Sequence, residues 1–580
     1  ILLALVLVCM GILSSCGSQE GTPVGTSQTE ASGKPDEKSD TAGTPSLTYE
    51  LLSDGTYGVG AKKGTVKLLS EIVIPVEYQG KPVTQILDQG FYECANLTSV
   101  TLPESIISIG YYGFFGCSKL TSITIPSSVM NIGLCAFDNC GKLYKQENYQ
   151  EEYGVEYLDN WAIECDSSVT NVKLRKNTKG IAGGAFSNCK NLTKITIQPN
   201  LISIGDSAFS GCSSLTSIAV PSSVTSIGSS AFDGCSSLTN ITLPESVTNI
   251  GDGAFFGCDN LIFQKENGIS YLENWAIACE DSITTVELRE STKGIAAGAF
   301  SNCDDLTRIT IPSDVTNIGT GIFADCSSLT KILVADDNTV FHAAGNCLIA
   351  TESKTLIAGC NSSVIPNDGS VTHIGDYAFA RCRSLTSITI PQGVILIGQQ
   401  AFFECSSLTS ITLSQGVTSI GQQAFVECSS LTSITLPQGV TNIGRYAFFE
   451  CSRLTDITLP SSVTSIGESA FYKCGHLESV VIPQGVTSIG DMTFQFCDNL
   501  TSVTIPEGVT NIGMQAFSGC SSLTSITISE SVTSIGNNAF DGCSSLTSII
   551  FKGTRAQWDA ALGTSSLGCN ATIVHCKEHT

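Results

Sequence analysis

The chain has 580 residues and an acidic composition, with 53 Asp and Glu against 29 Lys and Arg and a formal net charge of −24. Affinity for nucleic acid rests largely on Lys and Arg that neutralise phosphates, so this charge argues against a nucleic-acid partner. It argues equally against electrostatic docking on anionic lipid. The length alone suggests several ordinary domains, but an internal repeat overrides that expectation.

The first predicted element is an apolar stretch from Ile1 to Leu13. It is too short for a membrane span of about 20 residues and has the length of a signal-peptide core. We therefore expect residues 1–15 to be a signal peptide that is truncated at its start. The ending LSSC at residues 13–16 resembles a bacterial lipobox, and the resemblance implies that Cys16 becomes the lipidated N-terminus, so that the protein meets a membrane only through a lipid anchor. The alternative is an ordinary secretory signal with a chance cysteine.

Two segments separate this signal from the repeat. Residues 16–47 are rich in Gly, Ser, Thr, Pro and charge and have no apolar periodicity. Such a segment cannot bury enough surface to offset its ordering entropy, so we predict a disordered linker that holds the folded part away from the membrane. Residues 48–95 alternate like strands between Gly and Pro turns and are predicted to form an N-terminal cap and the first coil.

A single unit then recurs through residues 96–551. It reads L-T-S-I-T-L-P-x-G-V-T-S-I-G-x-x-A-F-x-x-C-S-S, and within each block its cysteine recurs every 23 residues. A period in this range marks a solenoid, in which each unit is one coil stacked on its neighbours. The cysteines in this register are Cys94, Cys117, Cys140, Cys189, Cys212, Cys235, Cys258, Cys303, Cys326, Cys382, Cys405, Cys428, Cys451, Cys474, Cys497, Cys520 and Cys543.

The unit that begins at Leu408 shows how one coil is expected to fold. Leu408, Ile411 and Leu413 have the spacing of a strand with one buried face. Gly421 is expected to supply the positive φ of a turn, and residues 422–430 are predicted to form one helical turn. Each coil buries the same set of Leu, Ile, Val, Ala, Phe and Cys side chains. Stacked coils therefore form ladders of identical residues, whose burial at about 1.5–3 kcal/mol per large side chain dominates stability.

The repeated cysteine has three interpretations. A thiol can fill a narrow corner of the core as a small hydrophobic side chain. Disulfides are within reach, because adjacent coils lie about 4.8 Å apart. Metal sites need short spacings such as CxxC with nearby His, which this ladder lacks. Side chains in register point the same way and the ladder has an odd number of members, so we predict free thiols, which also point to a reducing habitat.

The register breaks three times, near residues 144–189, 262–303 and 333–382. The first two breaks are copies of each other, with the shared pattern W-A-I-x-C and the shared ending A-F-S-N-C. We predict longer coils whose extra interior volume is filled by Trp161 and Trp275. The alternative is a ledge that binds a ligand.

Residues 552–580 are predicted to cap the far end of the core. Thr554 is placed to N-cap a short helix that ends at Leu562. Cys569 and Cys576 are expected to form a pair or to remain two free thiols, in preference to a zinc site with the neighbouring His residues.

The repeat unit, the variant "NCLIATESKTLIAGCNSSVIP" and the ending "GTRAQWDAAL" resemble the BspA-type leucine-rich repeat surface proteins over roughly residues 48–580. The resemblance implies a repeat solenoid, right-handed and curved, with a parallel β-sheet on the concave side and short turns or helical turns on the other. It also implies a protein of the bacterial cell surface that binds host matrix proteins, host cells or other bacteria. It supplies no catalytic residues, and the identity of the partner does not transfer.

Two rows of side chains form the predicted binding surface for a protein or glycan ligand. The Ser and Thr of the strand face give a broad, uncharged surface, although such residues are also simply good exposed strand residues. Aromatic and acidic side chains before each cysteine form a second row, which either marks an interaction patch or packs against the neighbouring coil. The residues are Ser410, Thr412, Ser433 and Thr435 in the first row and Phe403, Phe449, Tyr472, Glu404, Glu427 and Glu450 in the second.

The sequence contains no recognisable catalytic arrangement. Zinc-protease, nucleophile-elbow, phosphate-loop and dinucleotide fingerprints with supporting structure do not occur, so we predict a non-enzymatic protein without cofactor or metal. The alternative to a binding protein is a structural spacer of the envelope with no dedicated ligand. About twenty coils at about 4.8 Å each would extend on the order of 100 Å.

Overall fold

The structure, a computed structural model, describes residues 47–52, 54–61, 69–143, 149–569 and 574–577. The predicted signal peptide, the lipidation site Cys16 and the linker to residue 46 lie outside the described residues. One compact unit, Thr41–Thr580, contains the repeat. It is a solenoid of about 21 turns with stacked parallel strands, which confirms the predicted fold class.

The first half of most coils contributes one strand to a series of short parallel sheets, of three or four strands each, that we call together the long ladder. Ile411 points into the core, whereas Ser410 and Thr412 on either side of it are exposed, as the alternation predicts. Equivalent residues pair directly between coils, as Ile388 does with Ile411. The strands are Glu71–Val73, Ser99–Thr101, Ser122–Ile123, Asn171–Lys173, Lys194–Thr196, Ser217–Ala219, Asn240–Thr242, Thr285–Glu287, Arg308–Ile311, Lys331–Val334, Ser387–Thr389, Ser410–Thr412, Ser433–Thr435, Asp456–Thr458, Ser502–Ile505, Ser525–Ile528, Ser548–Thr554 and Val574–Lys577.

A second series of parallel strands, the short ladder, follows the turn of most coils and is divided among five sheets. Its strands are mostly two residues long, and their Ile side chains, such as Ile420 and Ile443, pair directly and are fully buried. No strand was predicted at these positions. The strands are Lys81–Ile86, Ser108–Ile109, Asn131–Ile132, Gly180–Ile181, Ser203–Ile204, Ser226–Ile227, Asn249–Ile250, Gly294–Ile295, Asn317–Ile318, His373–Ile374, Leu396–Ile397, Ser419–Ile420, Asn442–Ile443, Ser465–Ile466, Ser488–Ile489, Asn511–Ile512 and Ser534–Ile535.

The predicted helical turn before each cysteine is wrong. In residues 421–428 both Gln423 and Glu427 have a φ of +56°, which a right-handed helix does not allow. The backbone N–H groups of Gln423, Phe425 and Glu427 each donate to a carbonyl of the next coil at 2.8 Å. The N–H groups between them, of Ala424, Val426 and Cys428, donate within their own coil at 3.2–3.3 Å. This segment therefore divides its backbone hydrogen bonds between its own coil and the next one, and Gln423 and Glu427 adopt positive φ in that arrangement.

The glycine that ends each short strand is required because the backbones of neighbouring coils approach closely there. The predicted reason, a positive φ, is wrong for Gly421. Gly421 does not have a positive φ, but a Cβ on it would lie 2.7 Å from the carbonyl carbon and oxygen of Gly398 in the preceding coil. The same contact would be 2.5 Å at Gly444, against the backbone of Gln422. Any side chain here would push neighbouring coils apart.

The three breaks in register are antiparallel inserts rather than longer coils. Each insert has three short antiparallel strands, and the last of them pairs with the next strand of the short ladder. Trp161 and Trp275 are buried as predicted. The strands are Tyr149–Glu152, Val155–Leu158 and Trp161–Cys165 in the first insert, Gln264–Glu266, Ile269–Leu272 and Trp275–Cys279 in the second, and Phe341–Ala344, Cys347–Ala350 and Thr355–Ala358 in the third.

The core is a stack of phenylalanine rings surrounded by aliphatic ladders. From Phe379 to Phe540, consecutive rings lie 5.1–5.8 Å apart and within 10° of parallel. Each such pair adds about 0.5–1.5 kcal/mol beyond its buried area. The inserts interrupt the stack, and the buried residues form three clusters that meet near the first and third inserts.

The prediction of free thiols is confirmed for 16 of the 17 cysteines in the repeat register, but it is wrong for Cys303, which is bonded to Cys279. An ordinary thiol of the ladder donates to the carbonyl of the Phe in the preceding coil, as Cys428 does to Phe402 at 3.2 Å. Cys303 directly follows an insert, so the preceding coil offers it no such carbonyl. The insert supplies Cys279 in that place instead.

The two ends of the described repeat are closed by different elements. At the start, Leu47–Leu51 pairs antiparallel with Tyr57–Ala61, and a short strand Glu77–Tyr78 pairs with Lys81–Ile86. At the other end, the helix Arg555–Leu562 begins after Thr554, which confirms the predicted helix.

A capping box fixes the start of this helix, since Thr554 and Gln557 each accept from the other's backbone N–H. Cys569 is a free thiol, and the side chain of Cys576 lies outside the described residues. In the part of the chain that the structure describes, no helix is long and apolar enough to cross a membrane.

Candidate binding surface

The predicted Ser and Thr rows lie on the outward side of the long ladder. We call this surface the hydroxyl face. All its residues are exposed, and the strands that carry them pair in register, so identical hydroxyl groups follow one another at the spacing of strands, about 4.8 Å. The hydroxyl face consists of Ser387, Thr389, Ser410, Thr412, Ser433, Thr435 and Thr458.

A row of threonines that the sequence analysis did not single out borders the hydroxyl face. The hydroxyl of Thr409 donates to the carbonyl of Thr386 at 2.9 Å, and Thr455 donates to Thr432 at 3.1 Å. These side chains tie each coil to the one before it. The neighbouring hydroxyl face is therefore held on a rigid backbone.

The aromatic row is not the exposed patch that one of the two interpretations expected. Phe403 and Tyr472 are each 8% exposed, and Phe449 is half-buried. Phe449 stacks on Tyr472 with ring centroids 4.6 Å apart, and Tyr472 meets Phe496 edge-on at 5.6 Å. Each ring fills the space beside a ring of the next coil. The row therefore packs against neighbouring coils, as the second of the two interpretations expected.

The predicted glutamates belong to a charged row that lies beside these rings. Glu404 forms ion pairs with Arg381 and Arg383, and both arginines also pair with Asp325. At the other end of the row, Lys473 pairs with Glu450 at 2.7 Å. The sequence analysis missed the arginines and the aspartate, because they occupy variable positions of the unit on either side of the third insert.

Glu427 lies in the middle of this charged row. Burial raises the pKa of its carboxyl group above the ordinary value, and the neighbouring carboxylates of Glu404 and Glu450 raise it further. The cations of the row lie nearer to its two ends. Glu427 is therefore the position at which like charges meet.

A further set of polar residues, the inner ridge, follows the short ladder. It comprises Asp88, Tyr111, Asp206, Tyr377 and Arg445, each one or two residues after the glycine or turn that ends a short strand. The Tyr111 hydroxyl donates to Asp206 at 2.7 Å, although these residues belong to coils that are not adjacent. Side chains of coils that are not adjacent can touch here only if the stack of coils curves toward the ridge. The inner ridge therefore lies on the inside of this curve. Burial raises the pKa of Asp88, and burial and Asp206 raise the pKa of Tyr111.

The repeat matches the family model described as "BspA type Leucine rich repeat region", in six copies. The matched residues are 84–216, 156–265, 262–347, 354–478 and 464–561. The chain belongs to the BspA-type leucine-rich repeat family. A search of curated proteins found no significant match.

Several solved structures are similar to this BspA-type repeat chain. A leucine-rich repeat protein from Bacteroides ovatus is 22% identical and covers 92% of this chain and 99% of its own, at a TM-score of 0.33. A leucine rich cell surface protein from Faecalibacterium prausnitzii is 24% identical and covers 90% and 97%, at 0.26. A leucine-rich repeat protein from Eubacterium ventriosum is 25% identical and covers 64% and 93%, at 0.40.

The described part of this BspA-type repeat protein was also searched for metal sites and grooves. Among its residues, no group of three or more His, Cys, Asp or Glu is arranged to hold a metal ion. One open groove of about 670 Å³ lies between the coil of Phe256 and the second insert. Phe256 and Ile262 line it and are 76% and 83% exposed.

Proposed function

We propose that this BspA-type repeat protein is a non-catalytic adhesion protein of the bacterial cell surface that binds a protein or a glycan through the hydroxyl face. The observation that carries the proposal is an uninterrupted set of exposed Ser and Thr side chains on four consecutive strands in register. The ligand is a protein or glycan of host matrix, host cells or other bacteria.

The chemistry of the face suits such a ligand. Each hydroxyl is one donor and two acceptors, so a row of them can match the hydroxyls of a sugar or the edge of a peptide. The intercoil ladders hold the groups in place before binding, which lowers the entropy lost on association. Apart from Asp456 at one end the face is uncharged, and the net charge of −24 disfavours polyanions such as nucleic acid.

The proposal includes export and a lipid anchor at Cys16. Its support is the apolar core of residues 1–13 followed by LSSC, all of it outside the described residues. Labelling of a bacterial host with a radioactive fatty acid tests it. Incorporation that is lost with Cys16→Ser supports the anchor, and equal incorporation in both proteins contradicts it.

The binding proposal is tested with an array of host matrix proteins, mucins, glycans and bacterial surfaces, in physiological salt and reductant. The test variant is Thr412→Arg/Thr435→Arg, which puts two long cations on the hydroxyl face. The matched control is Gln415→Arg/Gln438→Arg, which changes exposed turn residues of the same two coils.

A saturable interaction that is lost in the test variant and kept in the control supports binding by this face. An interaction that both variants keep assigns binding to another surface. A folded protein that binds nothing on the array favours the envelope spacer instead.

A further inference from the structure

The first two inserts each place one cysteine beside the ladder cysteine that follows. Cys165 and Cys279 occupy the last position of the third strand in their inserts, and the two strands have the same burial pattern. In the second insert Cys279 is bonded to Cys303. In the first insert the corresponding residues, Cys165 and Cys189, are free thiols, the former half-exposed and the latter buried.

Cys189 differs from most thiols of the ladder in its surroundings. Thirteen ladder thiols donate to a Phe carbonyl of the preceding coil at 2.9–3.2 Å. Cys189 follows an insert, as Cys303 does, and its Sγ lies 3.9 Å from the carbonyl oxygen of Cys165 instead. The two thiols are close enough for each to shift the pKa of the other.

We propose that Cys165 and Cys189 form a second disulfide when the protein is oxidised, so that each of the first two inserts is bonded to the coil that follows it. The sequence copies, the matching strand positions and the 3.9 Å separation of Cys189 Sγ from the carbonyl oxygen of Cys165 carry this inference. We expect the remaining ladder thiols to stay reduced, since thirteen of them already donate to a Phe carbonyl of the preceding coil.

The reaction is a thiol–disulfide exchange with an external disulfide, either a small molecule such as oxidised glutathione or a protein oxidant. The half-exposed Cys165 attacks the donor as a thiolate, forms a mixed disulfide and releases one donor thiol. Cys189 then attacks Sγ of Cys165 and releases the second donor thiol. The two protein thiols together lose two electrons and two protons, and the donor disulfide takes them up.

Exposure sets the order of these steps, because the hydrogen bond with Cys189 and burial both raise the pKa of the Cys165 thiol above its ordinary value. The hydrogen bond from Cys165 lowers the pKa of the Cys189 thiol, and burial opposes that effect. A thiol with a lowered pKa is more often the thiolate that completes an exchange. The exposure of Cys165 gives the external disulfide access to the pair.

The test uses the full chain in buffers with increasing ratios of oxidised to reduced glutathione. Free thiols are blocked with N-ethylmaleimide in denaturant, and tryptic peptides are analysed without reduction. Lys and Arg residues lie between the two members of each pair, so every link appears as two peptides joined by a disulfide. The Cys279–Cys303 link reports that oxidation has occurred.

We expect a peptide pair that contains Cys165 and Cys189 at the same ratios as the known link. Cys165→Ser should remove this pair and leave Cys279–Cys303, and Cys135→Ser, a change at another half-exposed cysteine, should remove neither. The thermal midpoint should rise on oxidation, with a smaller rise in Cys165→Ser. A Cys189 that stays fully alkylated at every ratio, or Cys165 joined to a different cysteine, overturns the proposal.

Discussion

The guanidinium of Arg445 donates a 2.9 Å hydrogen bond to the carbonyl oxygen of Asp88, although 357 residues separate the two in sequence. The same guanidinium pairs with Glu468 in the next coil at 2.7 Å. One side chain thus links the first coil of the repeat to a coil far along it. The link exists because both residues belong to the inner ridge, where the curve brings distant coils together.

Arg445→Met should therefore loosen a long-range contact as well as a local one. The change leaves Glu468 and the carbonyl of Asp88 without their cationic donor, and hydrogen bonds to charged groups contribute about 1.5–3 kcal/mol. We expect a loss of stability of about 2 kcal/mol in denaturant unfolding. Amide hydrogen exchange should also become faster around Asp88. Arg453→Met, at an exposed position of the following segment, is the control. Equal stability and exchange in the two variants would show that the link contributes nothing.

Glu50 makes the stability of the fold near the inner ridge dependent on pH. Burial raises the pKa of its carboxyl group to about 7, Arg445 opposes the shift and Asp88 adds to it. An acid with a raised pKa in the folded state favours folding in its protonated form. Its contribution is complete below the unfolded value near 4.5 and is lost as the pH rises through about 7.

Glu50→Gln should remove the loss of stability that accompanies ionisation of this carboxyl group. We expect the thermal midpoints of the natural chain and the variant to agree most closely near pH 4.5, and the variant to become relatively more stable toward pH 8. Asp88 titrates in both proteins, so the difference between them isolates Glu50. Glu71→Gln, at an exposed strand residue, should show no such divergence. A constant offset between natural chain and Glu50→Gln over this range would refute the assignment.

Glu427 provides a test of the charged row. Its pKa is raised by burial and by Glu404 and Glu450, so the ionised form destabilises the fold above its pKa. Like charges that face each other between neighbouring coils should cost about 0.2–1 kcal/mol, the range found for cross-strand pairs. We therefore expect Glu427→Gln to stabilise the protein by about 0.5 kcal/mol at pH 8, with the gain shrinking as the pH falls. Glu478→Gln, exposed on the long ladder side, is the matched control. A destabilised Glu427→Gln protein would mean that its carboxylate has a favourable partner.

The period and the apolar pattern of the unit were sufficient to predict the solenoid, its buried ladders and its exposed hydroxyl rows. Each of these features depends on whether a residue points inward or outward, and alternation encodes that directly. The short ladder and the non-helical segment at residues 421–428 were not predictable in this way. Their backbone conformations depend on hydrogen bonds to the next coil, which a single unit of sequence does not contain.

The second insert carries a sequence signal for its hairpin. Asn267 and Gly268 both have positive φ at the turn between the first two strands of the second insert. Asn-Gly between apolar segments is a strong sequence signal for a two-residue hairpin. The burial of Phe403 and Tyr472 was also not predictable, but for a different reason. It depends on which side chains the adjacent coils place beside these rings.

Phe448 and Phe449 are sequence neighbours with different surroundings, which makes them a matched pair for testing where stability resides. Phe448 is fully buried and stacks between Phe425 and Phe471 at 5.2 and 5.4 Å. Phe449 is half-buried and stacks on Tyr472. Removing a core phenylalanine costs about 3–5 kcal/mol, because the lost contacts add to the cavity that remains.

We therefore expect Phe448→Ala to destabilise the protein by about 4 kcal/mol in denaturant unfolding and to promote exchange in both adjacent coils. Phe449→Ala should cost clearly less, because part of its ring already faces water. If Phe449→Ala cost as much as Phe448→Ala, the aromatic row would be as much a part of the core as the central stack. If it cost nothing and abolished binding on the array, the row would be the ligand surface, in place of the hydroxyl face.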